Sequence, residues 1–192
     1  MRVKQTLFAF CLCVLAAPAF AQTPGKAFDV NLNDDAVRLG FSWRLGEPNY
    51  LADLGWLYSQ DRGDVIHGGF HLVDAASASG SALQAGLGVR LVHTRTDPSV
   101  ADGTALALGG FARYTLPRAD RVNIGGYGYF APDVTSFGDQ TEYYEIGVRV
   151  GYSVLRAGDV YLGLRRIEAE YKGSGGFKFD SGLHAGFELR FK

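Results

Sequence analysis

Along most of this chain apolar and polar residues alternate with a period of two, as in a strand that has one face in an apolar medium. In the clearest run Tyr144, Ile146, Val148, Val150, Tyr152 and Val154 stand against Glu145, Gly147, Arg149, Gly151 and Ser153. Val37, Leu39, Phe41, Trp43 and Leu45 alternate in the same way with Arg38, Gly40, Ser42 and Arg44. Leu83, Ala85, Leu87, Val89 and Leu91 alternate with Gln84, Gly86, Gly88 and Arg90. The closing stretch Ser181–Lys192 sets Leu183, Ala185, Phe187, Leu189 and Phe191 on one face and Gly182, His184, Gly186, Glu188 and Arg190 on the other. Each run is about ten residues long, which is what a tilted strand needs to cross a bilayer. Soluble strands average nearer 5–6 residues.

Weaker runs fill the gaps: Phe28–Asn33, Tyr50–Ser59, Asp64–Val73, Ala105–Leu116, Arg121–Phe130 and Val160–Lys172. In the last of these the phase slips around Arg165-Arg166, which predicts a β-bulge there. The count is about ten strands. Eight is the alternative, reached by merging or discarding the N-terminal run and one other, because bacterial barrels carry even numbers with both ends in the periplasm. The predicted fold class is all-β: a transmembrane antiparallel up-and-down β-barrel.

With the C-terminus in the periplasm, connections alternate between outer loops and inner turns. The outer set is Asn33–Asp35, Gln60–Gly63, His93–Thr104, Ala131–Thr141 and Gly173–Phe179. The inner set is Gly46–Asn49, Asp74–Gly80, Pro117–Asp120 and Arg156–Asp159. Long outer loops and short inner turns are the barrel pattern, and the C-terminal half follows it better than the N-terminal half. Trp43, Tyr50, Tyr114, Tyr129, Tyr143, Tyr152 and Tyr161 lie near predicted strand ends and are expected to form aromatic girdles at the two membrane interfaces.

Met1–Ala21 supplies the route to that membrane. Arg2 and Lys4 precede an apolar run from Leu7 to Ala17 and then Ala19-Phe20-Ala21, the pattern of a cleaved secretory signal peptide. Residues 22–192 are then the barrel. Cys11 and Cys13 both fall in the signal segment, so the mature chain carries no thiol. The formal charge of −1 gives no reason to expect nucleic acid as a partner. The 26 glycines, spread evenly, argue against helices.

If the apolar faces meet lipid, the interior receives Arg38, Asp53, Arg90, Arg113, Glu145, Arg149, Arg165, His184, Glu188 and Arg190. Ionised groups in so narrow a space must be paired or hydrated. One expectation is a structural salt-bridge plug. The other is a narrow water-filled path in which the excess of arginine favours anions. The outer-loop residues Asp34, Asp35, Asp61, Asp64, Asp97, Asp102, Asp133 and Asp139 are read as turn formers.

Candidate chemistry is sparse. His67 and His71 are four residues apart, which on a strand is roughly 13 Å and too far to share an ion. His184 and Glu188 meet the same objection. His93 has no adjacent serine with an orienting carboxylate, and Gly126–Tyr129 has no following helix to make a phosphate loop. No catalytic set, cofactor or metal is expected.

Four stretches, "FDVNLNDDAVRLGFSW", "GGYGYFAPDVTSFGD", "EYYEIGVRVGYSVLRAGDVYLGLRRIEAEY" and the closing "GLHAGFELRF", resemble the YfaZ family of small bacterial outer-membrane proteins. Tyr127, Tyr129, Pro132, Asp133, Tyr144, Gly147 and Arg149 have counterparts in that family's pattern. Lys192 departs from it by following the terminal aromatic Phe191. The resemblance implies a barrel in a Gram-negative outer membrane, with no catalytic set to carry over. Expected partners follow from that location: outer-membrane lipid and lipopolysaccharide, the export translocon, periplasmic chaperones and the barrel-insertion machinery, with the protein a monomer. The expected role is structural or a narrow porin-like channel. A lipid-modifying enzyme and a surface adhesion or binding module are the alternatives.

Overall fold

A computed structural model describes residues 25–46, 49–74, 82–97 and 101–191, so the expected signal segment lies outside the described residues. The alternating runs are strands: β1 Lys26–Leu32, β2 Ala36–Leu45, β3 Tyr50–Ser59, β4 Gly63–Val73, β5 Leu83–Thr96 and β6 Asp102–Leu116. β7 Ala119–Ala131, β8 Ser136–Gly138, β9 Gln140–Leu155, β10 Gly158–Tyr171 and β11 Gly175–Phe191 complete the set. Apart from a single 3-10 turn at Asp133–Thr135, the described residues contain no helix.

Every neighbouring pair is antiparallel, and the wall closes on itself. β5 pairs with both β4 and β6, and β11 pairs with both β10 and β1, so ten strands form the ring. The three-residue β8 stands outside that count, pairing with Gly103–Ala105 of β6 above the point where β7 leaves it. Lys26 lies opposite Phe191, so the first and last strands of the ring begin and finish at the same end, here called the inner end. Closure leaves no unpaired edge along the ring, which a barrel in lipid requires.

The outward faces carry Leu54, Phe70, Leu87, Leu108, Val148, Leu162 and Leu183, all substantially exposed. A contiguous apolar belt of this kind far exceeds the patches that water-facing proteins tolerate. Trp43, Tyr50, Tyr114 and Tyr152 flank it at the inner end, and Trp56 and Tyr58 at the outer end. Tyr129, Tyr143 and Tyr161 do not join these girdles as expected: all three are buried with their hydroxyls bonded inside the barrel. The phase of the strand, not nearness to its end, decides which way a tyrosine points.

The expected bulge at Arg165-Arg166 is also corrected. β10 keeps its alternation, with Arg165, Ile167, Ala169 and Tyr171 buried and Arg166 and Glu170 exposed. What changes is the chemistry of the two faces. Outward residues pass from Leu162 and Leu164 to Arg166, Glu168 and Glu170, while inward residues pass from Arg165 to Ile167, Ala169 and Tyr171. The register shift lies on the partner strand: Ile167 pairs with Asp180 and Glu168 with Lys178, leaving Phe179 as the extra residue of β11.

Five of the strands run 14 to 17 residues and continue past the belt at the outer end. The outer connections are correspondingly shorter than expected, since Thr94–Thr96 belong to β5 and Gly175–Phe179 to β11. Most of the expected inner turn Asp74–Gly80 lies outside the described residues.

The glycines have a packing role. Glycines face rings across the ladder in several cross-strand pairs, among them these five: Gly55 with His67, Gly86 with Phe111, Gly147 with Tyr127, Gly163 with His184 and Gly186 with Tyr161. A Cβ at any of the five would run into the partner ring. The rings therefore lie along the wall, and space remains in the lumen.

Candidate functional site

The lumen has three levels, set by what the inward positions carry. At the outer end Ala36, Leu57, Val65, Val92, Tyr143, Ile167, Tyr171 and Phe179 belong to one apolar cluster. Leu57, Val92, Tyr143, Ile167 and Phe179 are each no more than 2% exposed, so this level is a packed plug. Burying each of the larger side chains contributes roughly 1.5–3 kcal/mol. Polar groups within the plug pair with one another in a short chain: Thr94 donates to Gln140 at 2.9 Å and Tyr171 to Thr94 at 2.7 Å.

Below the plug, Glu145 accepts from Tyr143 at 2.9 Å and meets Arg38 at 2.8 Å and Arg90 at 3.4 Å. Arg90 also reaches Asp53 at 3.1 Å and lies over the Tyr129 ring, 3.8 Å from its centre. His67 Nε2 and His71 Nδ1 approach the same Asp53 at 3.0 and 3.1 Å. Asp53 faces Gly69 across the β3–β4 ladder, and Gly69 faces Arg90 across β4–β5. The missing side chain at Gly69 lets carboxylate and guanidinium meet over it, with an imidazole two residues away on each side. The two histidines are thus too far apart along the strand to share an ion, yet they share a carboxylate from the next strand. Among the described residues no group of three or more His, Cys, Asp or Glu side chains is arranged to hold a metal.

On the β10–β11–β1 wall, Arg165 donates through Nε to Asp180 at 2.6 Å and through Nη1 to Asn31 at 2.6 Å. Nearer the inner end Glu188 receives three guanidiniums: Arg149 at 2.6 Å, Arg113 at 2.9 Å and Arg190 at 3.2 Å. Asp159 holds Arg113 and Arg190 from behind, and Ser153 donates to it at 2.7 Å. Asp29 accepts from Tyr161 at 2.7 Å and pairs with Arg149 at 3.3 Å.

The positions named from the alternation therefore sit as follows. Arg38, Arg90 and Glu145 form the middle network, Arg165 has its own pair with Asp180, and Arg113, Arg149, Glu188 and Arg190 form the inner network. His184 is buried in the wall with its ring edge-on to Tyr161, 6.0 Å between centres. Three carboxylates were missed: Asp29, Asp159 and Asp180. Asp29 and Asp159 continue the inward phase of Asn31 and Tyr161 and were legible in principle, whereas the extra Phe179 conceals the phase of Asp180. With them, the interior ion pairs join six arginines (Arg38, Arg90, Arg113, Arg149, Arg165, Arg190) to six carboxylates (Asp29, Asp53, Glu145, Asp159, Asp180, Glu188). The expected numerical excess of arginine is absent from this paired set.

A cavity of about 600 Å³ occupies the middle and inner levels. Ser42, Gln84, Thr115, Ser153 and Arg156 line it toward the inner end, and Arg38, Arg90 and His184 line it at depth. No plug residue does. Among the described residues, the cavity's lining is thus separate from the apolar cluster at the outer end.

The sequence pattern of the YfaZ precursor family matches residues 4–191. The chain belongs to this family. A comparison with curated proteins returns no match. Among solved structures, an anion-selective porin from Comamonas acidovorans is similar at a TM-score of 0.38 and 12% identity, over 91% of this chain and 57% of the porin. The YfaZ chain thus spans little more than half of that porin's length.

Proposed function

We propose that this YfaZ protein is an exported outer-membrane barrel that does not conduct: its vestibule opens to the periplasm and its outer end is sealed. The observation that carries this reading is the apolar plug, in which Leu57, Val92, Tyr143, Ile167 and Phe179 pack into one buried cluster at the outer end. Membrane insertion is supported by the outward apolar belt, the aromatic girdles and the closed ring of even strand number. Both ends of the ring lie at the inner end, which faces the periplasm in bacterial barrels. The signal segment accounts for export, and Met1–Ala21 is its extent. Outer-membrane lipid, lipopolysaccharide and the export and barrel-insertion machinery are the partners that this location entails, and the barrel works as a monomer.

Planar-bilayer recording of the refolded protein tests the sealed state, with a heat-modifiability gel confirming the folded barrel in the same sample. The expected trace equals that of bare lipid. Discrete anion-preferring steps would instead support the porin-like path.

A further inference from the structure

We infer that the vestibule is a binding site for a small soluble organic anion, a phosphate monoester or a carboxylate, entering from the periplasm. The inference rests on the sealed-barrel reading and adds what the blind cavity takes up.

The six paired arginines and six carboxylates balance in number but not in position. All six arginines line the cavity, whereas Glu145, Asp159 and Asp180 do not. Those three carboxylates lie against the wall, behind the guanidiniums that they hold. Toward the inner end Arg149, Arg190 and Arg113 expose 26%, 19% and 16% of their side chains, against 2% for the Asp159 behind them, while Asp29 at 24% and Glu188 at 10% share the lining. Eight arginines, the six paired ones with Arg44 and Arg156, line the cavity against four carboxylates, Asp29, Asp53, Asp120 and Glu188, among the described residues, so a solute there meets an excess of guanidinium.

The inner cluster is already organised for this task. Arg113, Arg149 and Arg190 converge on Glu188, and Asp159 and Asp29 hold their outer edges, so the side chains are fixed before any ligand arrives. Guanidiniums held this way present planar, paired donors that match phosphate and carboxylate oxygens, at little further cost in side-chain entropy. A low-dielectric apolar wall around the cavity strengthens the attraction relative to water.

A volume of about 600 Å³ accepts a ligand the size of a sugar phosphate with room for water.

The test uses glucose 6-phosphate as the probe and glucose as its neutral counterpart, titrated calorimetrically into the refolded protein in zwitterionic micelles. The expected result is saturable one-to-one binding of the phosphate ester and none of glucose. Binding should weaken at least tenfold in Arg149→Gln and on raising salt from about 0.05 M to about 0.5 M. Arg166→Gln, on the outer surface of β10, should bind as the parent does. A heat-modifiability gel shows whether Arg149→Gln still folds, and the parent protein's own titration decides the matter if it does not. No saturable binding by the parent, equal binding of glucose, or equal weakening by Arg166→Gln would each overturn the inference. Conductance separates the two readings: a silent bilayer with no phosphate binding leaves the sealed barrel standing and removes only the anion site.

Discussion

The outer end of this barrel and its belt obey opposite rules, and β10 passes from one to the other within a few residues. In the belt, Leu162 and Leu164 point out while Gly163 and Arg165 point in. Past Arg166 the outward residues are Glu168 and Glu170, and the inward ones are Ile167, Ala169 and Tyr171. β9 and β5 change in the same way, with Glu142 and Arg95 outward above Ile146 and Leu91. The strand itself does not change at the crossing; its surroundings do. Where water surrounds the wall, apolar side chains gain by turning inward, and the barrel acquires a core like that of a soluble protein. Where lipid surrounds it, the outer face is satisfied without burial and the interior is free to be polar. On the proposed reading, the blind end of the vestibule follows from strands that run on beyond the membrane.

This contrast predicts that the same kind of substitution has different costs at the two levels. The largest effect is expected in the plug: Phe179→Ala should destabilise by about 3–5 kcal/mol, read as a shift in the urea midpoint for unfolding from lipid vesicles. Next comes a charge placed on the lipid face. Val148→Arg should cost about 2–4 kcal/mol and reduce the yield of heat-modifiable barrel. The smallest is Leu162→Ala, at under about 1 kcal/mol, because acyl chains replace the lost contacts where the plug would be left with a cavity. If Leu162→Ala proved as costly as Phe179→Ala, both levels would be packed cores and the lipid-facing assignment would fail.

The antiparallel barrel and its strand order were legible because alternation records the two media on either side of a wall, whereas the strand number, ten or eight by alternation alone, is decided by the closed ring. Three features were hidden for identifiable reasons. The inversion on β10 reads as a phase slip at Arg165-Arg166 when the outside is taken to be apolar throughout. Tyr129, Tyr143 and Tyr161 read as girdle residues because a tyrosine suits either an interface or a polar lumen, and nearness to a strand end does not choose between them. The meeting of His67, His71 and Arg90 at Asp53 depends on which residues of β3, β4 and β5 stand opposite Gly69, and cross-strand register is not written in any one strand. The same is true of the glycines that receive the rings of Tyr127 and Tyr161.

Sided labelling tests the two-level account most directly, since the mature chain expected from the signal segment has no cysteine of its own. Single cysteines in place of Ser42 and Ser153, which line the vestibule, and of Ala169 in the plug are offered to a membrane-impermeant maleimide from either face of outer-membrane vesicles. The account predicts that the two vestibule positions label only from the periplasmic face and that the Ala169 position labels from neither. Labelling of Ser42→Cys or Ser153→Cys from the outer face would mean that the lumen is open from end to end, and the sealed barrel would be wrong.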